Sequence, residues 1–297
     1  EDRDLDMMVV SDFSGIDVYR NDGGRFVDIT DQAVDDRANF GMGHALDDFN
    51  RDGKLDIYVA GMYSNTAARM HGLGLGRAEF TDYQSMRPHM GYGNRLYVRQ
   101  PNGTFRAPSF AEHVARTGWS WGTASLDFDL DGDRDLYVAN GHVSGKKSND
   151  YCTTFWRHDI YERCNRTELN PVLSHVFKSA QKSFNSDMSW NGFEHNVLFL
   201  NEGRGSFINV SWLLGMAHEY DSRSVVSDDL DRDGQPDLIV TERGWDERTQ
   251  AIPHFVHLYR NVLNTGNHWV GVNLHEHGRG YSPVGARVTV KFGGREH

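Results

Sequence analysis

The chain repeats one acidic pattern three times, with aspartate or asparagine at alternate positions. The copies are "DFNRDGKLD" from Asp48, "DFDLDGDRD" from Asp127 and "DLDRDGQPD" from Asp229, and they share the frame D-x-[DN]-x-D-G-x-x-D. Carboxylates a few ångströms apart repel one another, so such a cluster is costly unless a cation neutralises it. Calcium binds six to eight oxygen atoms, and a glycine at the sixth position allows the loop to turn sharply.

The predicted calcium ligands are the side chains at loop positions 1, 3, 5 and 9. Position 7 varies in chemistry between the copies, which is typical of a ligand that is a backbone carbonyl. The full set is Asp48, Asn50, Asp52, Lys54 and Asp56; Asp127, Asp129, Asp131, Asp133 and Asp135; and Asp229, Asp231, Asp233, Gln235 and Asp237. The alternative is three solvated acidic turns, but repetition of the frame argues against a chance match. We therefore predict three structural Ca²⁺ sites.

The residues around each acidic loop predict a β-hairpin and not an EF-hand. An EF-hand loop ends in a glutamate at position 12 and has a helix on each side. Position 12 is Val59, Val138 or Val240 in this chain. These valines lie in "DIYVA", "DLYVA" and "DLIVT", which are rich in the β-branched and aromatic residues of strands. Each loop is therefore expected to join two strands.

A second hairpin is predicted beside each loop hairpin. The segments 15–30, 94–109 and 196–211 each contain an apolar-alternating strand, a turn with glycine and a second strand, and "HFVHLYRN" (254–261) begins a fourth copy. Units of four antiparallel strands repeated along a chain are typical of β-propeller blades. We predict an all-β fold with about four blades over residues 1–263, with long inserts at 61–93 and 140–195.

The first residues, "EDRDLDMMVV", look like the second half of an acidic-loop hairpin. Asp2, Asp4 and Asp6 lead into an apolar strand, and Arg3 stands where the other copies have glycine. The first half of that hairpin would have to lie upstream. We therefore expect this sequence to be a piece of a longer protein.

These repeats resemble the FG-GAP, or VCBS, repeats of integrin α-subunit propellers. The tail 264–294 resembles the start of the ASPIC/UnbV module through "NHWVGV" and "VGARV". Together they are similar to bacterial and animal proteins related to cartilage acidic protein. The resemblance implies a seven-bladed ring, of which this chain holds about four blades, followed by a small, truncated β module over residues 264–297.

Composition narrows the classes of protein that the chain can belong to. Its 297 residues are 38% hydrophobic, which is enough for a large core. No apolar run approaches eighteen residues, so we expect no membrane span. The net charge is −11 and no basic stripe is present, which argues against a nucleic acid partner.

The insert 140–195 leaves three interpretations open. Cys152 and Cys164 are predicted to form a disulfide if the protein is exported, which would contribute roughly 3 kcal/mol; a metal pair or two free thiols are the alternatives. Arg157, His158, Asp159 and Tyr161 could form an enzyme site, with Tyr or His as the base and Arg as a clamp for an acidic sugar. A copper or zinc site would use Cys152, Cys164, His142 and His158. The interpretation we favour is a lid, pinned by the disulfide, that packs aromatic side chains on the top of the propeller.

The expected function follows from the calcium sites and the resemblance. Calcium is millimolar outside cells, where it fills sites with affinities of about 10⁻⁴–10⁻³ M. We therefore expect a secreted, periplasmic or cell-surface protein that acts in adhesion, scaffolding or surface assembly, with a protein or polysaccharide partner. The alternative is an enzyme that acts on acidic polysaccharide, or a metal-dependent oxidoreductase, with its site in the insert.

Overall fold

The computed structural model describes residues 4–76, 81–150, 152–156, 188–203, 205–244, 253–274, 286 and 288–296. Its strands are, in chain order, β1 (Met7–Ser11), β2 (Gly15–Asp22), β3 (Arg25–Asp28), β4 (Gly41–Asp47), β5 (Asp56–Gly61), β6 (Arg95–Arg99), β7 (Phe105–Arg106), β8 (Ser120–Leu126), β9 (Asp135–Asn140), β10 (Lys147–Asp150), β11 (Met188–Ser189), β12 (Val197–Asn201), β13 (Phe207–Asn209), β14 (Ser222–Asp228), β15 (Asp237–Arg243), β16 (His254–Tyr259), β17 (Lys291–Phe292) and β18 (Arg295–Glu296).

Four antiparallel sheets, here called blades 1 to 4 in chain order, make up most of the described structure. Blades 2 and 3 have four strands each, in the orders β4-β5-β6-β7 and β8-β9-β12-β13. Blade 1 contains β1-β2-β3, and blade 4 contains β14-β15-β16. In blades 2 to 4, an acidic loop joins the first two strands. The predicted all-β fold and its hairpins are therefore confirmed.

The second strand of each middle blade is buried on both faces, because the blades stack on each other. In β5, Val59 packs toward blade 1 while Tyr58 packs toward blade 3. In β9, Leu136 packs toward blade 2 while Tyr137 packs toward blade 4. Side chains alternate between the two faces of a strand, so one strand contributes to two apolar clusters. This explains why these strands have near-continuous apolar sequences.

Glycines allow the first strands of neighbouring blades to approach closely. Strand β8 contacts both β4 and β14. A Cβ atom on Gly122 in β8 would lie 2.3 Å from the carbonyl oxygen of Arg223 in β14, and a Cβ atom on Gly43 in β4 would lie 2.8 Å from that of Trp121 in β8. The two glycines occupy equivalent positions in blades 2 and 3. Only a residue without a side chain fits this backbone contact.

Helices occur mainly in the insert 61–93, and the sequence pattern did not predict them. The described helices are α1 (Thr30–Ala33), α2 (Asn65–Gly72), α3 (Thr81–Met90), a 3₁₀ helix (Ala111–Val114) and α4 (Cys152–Phe155). The Ser64 side chain caps α2 by accepting a hydrogen bond from the Ala67 N–H. Among the described residues, no helix has the length and apolarity needed to cross a membrane.

We predict that Gly122→Ala destabilises the protein by about 1–3 kcal/mol, because the added methyl group forces β8 and β14 apart. Chemical denaturation would measure the loss. Gly72→Ala is the matched control, since a Cβ atom there meets nothing within 4 Å. If the two variants were equally stable, the conclusion that β8 and β14 pack too closely for a side chain at position 122 would be wrong.

Candidate metal centres

The three acidic loops have the same internal hydrogen bonds. The carboxylate at position 1 accepts a hydrogen bond from the backbone N–H of the position-6 glycine, at 2.7 Å for Asp48, 3.1 Å for Asp127 and 3.0 Å for Asp229. The side chain at position 5 accepts a bond from the position-7 N–H at 3.0 Å in every loop. The repeated sequence pattern therefore corresponds to a repeated loop structure.

Position 4 adopts a left-handed backbone conformation although none of the loops has glycine there. The φ angles are 62° for Arg51, 59° for Leu130 and 64° for Arg232. This conformation costs a residue with a Cβ atom roughly 1–2 kcal/mol. Two chemically different side chains, arginine in two loops and leucine in the third, adopt this conformation. The loop's hydrogen bonds, and not the residue at position 4, therefore determine the turn.

The position-9 aspartate connects each loop to the third strand of its blade. In blade 3, one oxygen of the buried Asp135 accepts a bond from the Phe128 N–H at 2.7 Å, and the other accepts one from the Asn201 N–H at 2.8 Å. Asp56 and Asp237 make the equivalent pairs of bonds. The sequence predicted these aspartates only as ligands, whereas the structure gives them a second role in joining strands.

An asparagine at the end of the third strand extends this connection to the preceding blade. The Asn201 side chain donates to the Phe49 carbonyl in the loop of blade 2, at 3.0 Å, and the Asn261 side chain donates to the Phe128 carbonyl in the loop of blade 3, at 2.8 Å. Sequence reasoning missed this role. The available signal was the recurring asparagine in "VYRN", "LFLN" and "LYRN".

The start of the chain has the same connection. The Asn21 N–H donates to the Asp6 side chain at 2.9 Å, as Asn201 does to Asp135. Asp6 therefore takes the place of a position-9 aspartate. This bond supports the interpretation of "EDRDLD" as part of an acidic loop.

Carboxylates converge in two of the three loops. One oxygen from each of Asp127, Asp129 and Asp135 lies within 4.8 Å of the others, and the equivalent group in the next loop is Asp229, Asp231 and Asp237. In the loop of blade 2, Asn50 supplies an amide oxygen at position 3 in place of a carboxylate.

The oxygen atoms of these loops are suitable ligands for a hard cation such as calcium. Within the described part of the chain, the buried Oδ1 atoms of Asp127 and Asp133 accept no hydrogen bond. Carboxylate and amide oxygens are the ligands that calcium prefers. The remaining predicted ligands lie in the same loops: Asp48, Asn50, Asp52, Lys54, Asp56, Asp131, Asp233 and Gln235.

Burial makes several carboxyl groups in the loops of blades 2 and 3 harder to ionise. It raises the pKa of Asp135 to about 8 and that of Asp56 to about 6. Burial, together with the neighbouring Asp131, raises the pKa of Asp133 to about 7. Burial is also the main cause of the raised pKa values of Asp127 and Asp129. A cation among these oxygens would favour the ionised forms.

The loop of blade 4 already has a counter-charge from the protein itself. The Arg260 guanidinium lies 2.6 Å from Asp231 Oδ2 and 3.1 Å from Asp233 Oδ2. Arg260 is well exposed, so solvent screens both ion pairs and they contribute little to stability. A metal ion in this loop would compete with Arg260 for the same carboxylates.

Part of the chain matches a family model. The family model described as FG-GAP-like repeat matches residues 1–59, which include blade 1 and the first acidic loop. A search of curated proteins finds no match. The match indicates a propeller-type protein and agrees with the blades described above.

The structure does not support the predicted disulfide. Cys152 is a free, buried thiol whose Sγ lies 3.3 Å from the Ser64 hydroxyl oxygen. It packs in an apolar cluster with Trp156, and this environment raises the pKa of its thiol. Cys164 lies outside the described residues, as do the proposed enzyme residues Arg157, His158, Asp159 and Tyr161.

The described part of the insert packs aromatic side chains against the blades. His142 stacks on Trp119 and Trp121, with ring centroids 4.3 Å and 5.2 Å apart, and contacts Trp190 edge-on. Burial and the nearby Arg223 lower the pKa of His142 to about 3. Its imidazole is therefore neutral near pH 7 and a weak base. Aromatic side chains in the described part of the insert therefore pack against the blades, whereas the disulfide that was expected to pin the lid is not supported.

We predict that Asp129→Ala and Asp135→Ala act differently. Both remove a carboxylate from the same cluster, so both should weaken calcium binding in a titration. Only Asp135→Ala leaves two buried N–H groups without acceptors, at a cost of about 1–3 kcal/mol each. In chelator, Asp135→Ala should therefore be clearly less stable to urea, while Asp129→Ala stays close to the parent protein. Equal stabilities in chelator would contradict the strand-joining role of position 9.

Proposed function

We propose that this chain is part of a calcium-binding β-propeller that acts outside the cytoplasm in adhesion, scaffolding or surface assembly. The main support for the proposal is the shared geometry of the three loops. In each loop, the position-1 carboxylate accepts the same hydrogen bond from the position-6 glycine, so the oxygen atoms that could bind a metal ion follow the same arrangement. The buried Oδ1 of Asp127 adds support, since it accepts no hydrogen bond and Asp127 belongs to one of the carboxylate clusters.

Calcium has a structural role in this proposal. When bound, the ion supplies positive charge to carboxylates that otherwise repel one another. The chain's own residues do the remaining work, because the position-9 aspartates join each loop to the third strand and the asparagines join it to the next blade. Each ion would thus stabilise a connection between strands and between blades.

We also propose that the blades belong to a closed ring and that residues 264–297 begin an ASPIC/UnbV-like module. Support for the ring is the packing of each first strand against its neighbour, in the order β4, β8 and β14. Support for a C-terminal unit is that Thr265 and Asn267 both donate to the Asp129 carbonyl, at 2.8 Å and 3.0 Å. The tail therefore lies against an acidic loop.

The proposed extracellular or periplasmic location is based on the calcium affinity that we expect for such loops. Each loop has five predicted ligand positions, and some of them, such as Asp52 and Asp131, are exposed. Extracellular calcium modules of this kind bind at about 10⁻⁴–10⁻³ M, which only the extracellular or periplasmic space supplies. The proposed partner is a protein or a polysaccharide.

Calcium should raise the melting temperature clearly. A hundredfold excess over Kd stabilises the folded state by roughly 2.7 kcal/mol per site. We expect calorimetric titration to find three sites, and Asp131→Ala to lose one of them with part of the thermal shift. Asp31→Ala, an exposed aspartate outside the loops, is the matched control. Melting that is the same in calcium and in chelator would refute the structural role.

A further inference from the structure

A pocket of about 480 Å³ lies at the end of blade 3 that is farthest from its acidic loop. It is bordered by the start of β12 and the residues that follow β13, whereas the opposite end of β12 meets the loop at Asp135. Its volume is typical of a site for a small molecule. The lining residues that matter here are His113, Arg116, Phe193, Glu194, His195 and Trp212.

Two aromatic side chains are exposed at this pocket. Trp212 is 70% exposed and Phe193 is 41% exposed. The Trp212 ring contacts the His195 ring edge-on, with centroids 4.5 Å apart, so its position is supported from one side. Asn191 and Phe193 have positive φ angles of 44° and 59°, which bulky residues rarely adopt. Strained backbone of this kind concentrates at binding sites.

Arg116 and His195 in the pocket each lie beside a carboxylate. Arg116 Nη2 lies 2.6 Å from Glu112 Oε2, and His195 Nε2 lies 3.5 Å from Glu219 Oε1. An anionic ligand would have to compete with both carboxylates. The site is therefore better suited to an uncharged ligand than to the acidic sugar considered from the sequence.

The pocket offers hydrogen-bonding groups to such a ligand. Glu194 accepts bonds from the Trp119 N–H at 2.6 Å and from the Asn191 side chain at 2.9 Å, and each of its oxygens retains a second lone pair. Burial raises the pKa of Glu194 to about 7. Within the described residues, the buried His195 Nδ1 has no hydrogen-bond partner.

We propose that this pocket binds a neutral pyranose unit of a glycan. The C–H face of the sugar ring lies against Trp212, and the sugar hydroxyls bond to Glu194 and His195. The inference rests on the proposed binding role and specifies its partner as a carbohydrate, but it does not depend on any residue of the acidic loops.

The test is a titration of the full chain, in saturating calcium, with neutral trisaccharides built from glucose, galactose or mannose. Calorimetry gives the affinity, and saturation-transfer NMR identifies the sugar protons in contact with the protein. We expect at least one neutral trisaccharide to bind, with ring C–H protons receiving most of the transfer. Trp212→Ala should weaken binding tenfold or more, and Glu194→Gln should weaken it severalfold.

Leu213→Ala is the matched control, because Leu213 is 83% exposed beside Trp212 and does not line the pocket. It should bind the sugar as the parent protein does, and all variants should keep their calcium-dependent melting shift. A uronate trisaccharide that bound more tightly than every neutral one would overturn the proposal, as would unchanged binding by Trp212→Ala. Absence of sugar binding in a protein that calcium still stabilises would refute the pocket alone and leave the calcium proposal intact.

Discussion

The buried position-9 aspartate is the constraint on which the rest of the structure depends. In blade 3, its two oxygens accept backbone N–H groups from the acidic loop and from the third strand, so one side chain connects the second strand, the loop and the third strand. The position must be buried to make these bonds, and burial raises the pKa of Asp135 to about 8. The other acidic residues of the loop bring further negative charge close by, which a bound cation would neutralise.

The connection continues between blades through the asparagine that follows the third strand. Asn201 donates its backbone N–H to the loop of its own blade and its side chain to the loop of the preceding blade. Asn261 repeats this arrangement one blade later. Blade 2 has Arg99 at this position, which keeps the backbone bond to Asp56. The acidic loops are far apart in sequence, but these hydrogen bonds connect the loops of neighbouring blades.

The two ends of blade 3 have different chemistry. The loop end holds carboxylates and a network of backbone hydrogen bonds, which suits a structural ion. The opposite end holds the aromatic cluster around His142 and the pocket beside Trp212, whose charged groups are mostly paired. Since the two ends share no side chains, mutations should separate stability from the proposed ligand binding.

The sequence by itself determined the hairpins, the blade unit and the acidic loops, because period-two apolar strands and the D-x-[DN]-x-D-G frame are local patterns. It did not determine the helices of the 61–93 insert, since their apolar side chains pack on distant residues such as Trp119. It predicted a disulfide at Cys152, where the structure has a free thiol against Ser64. Only the tertiary structure brought Arg116, Glu194 and Trp212 to one pocket, because their proximity arises from the packing of segments far apart in the chain.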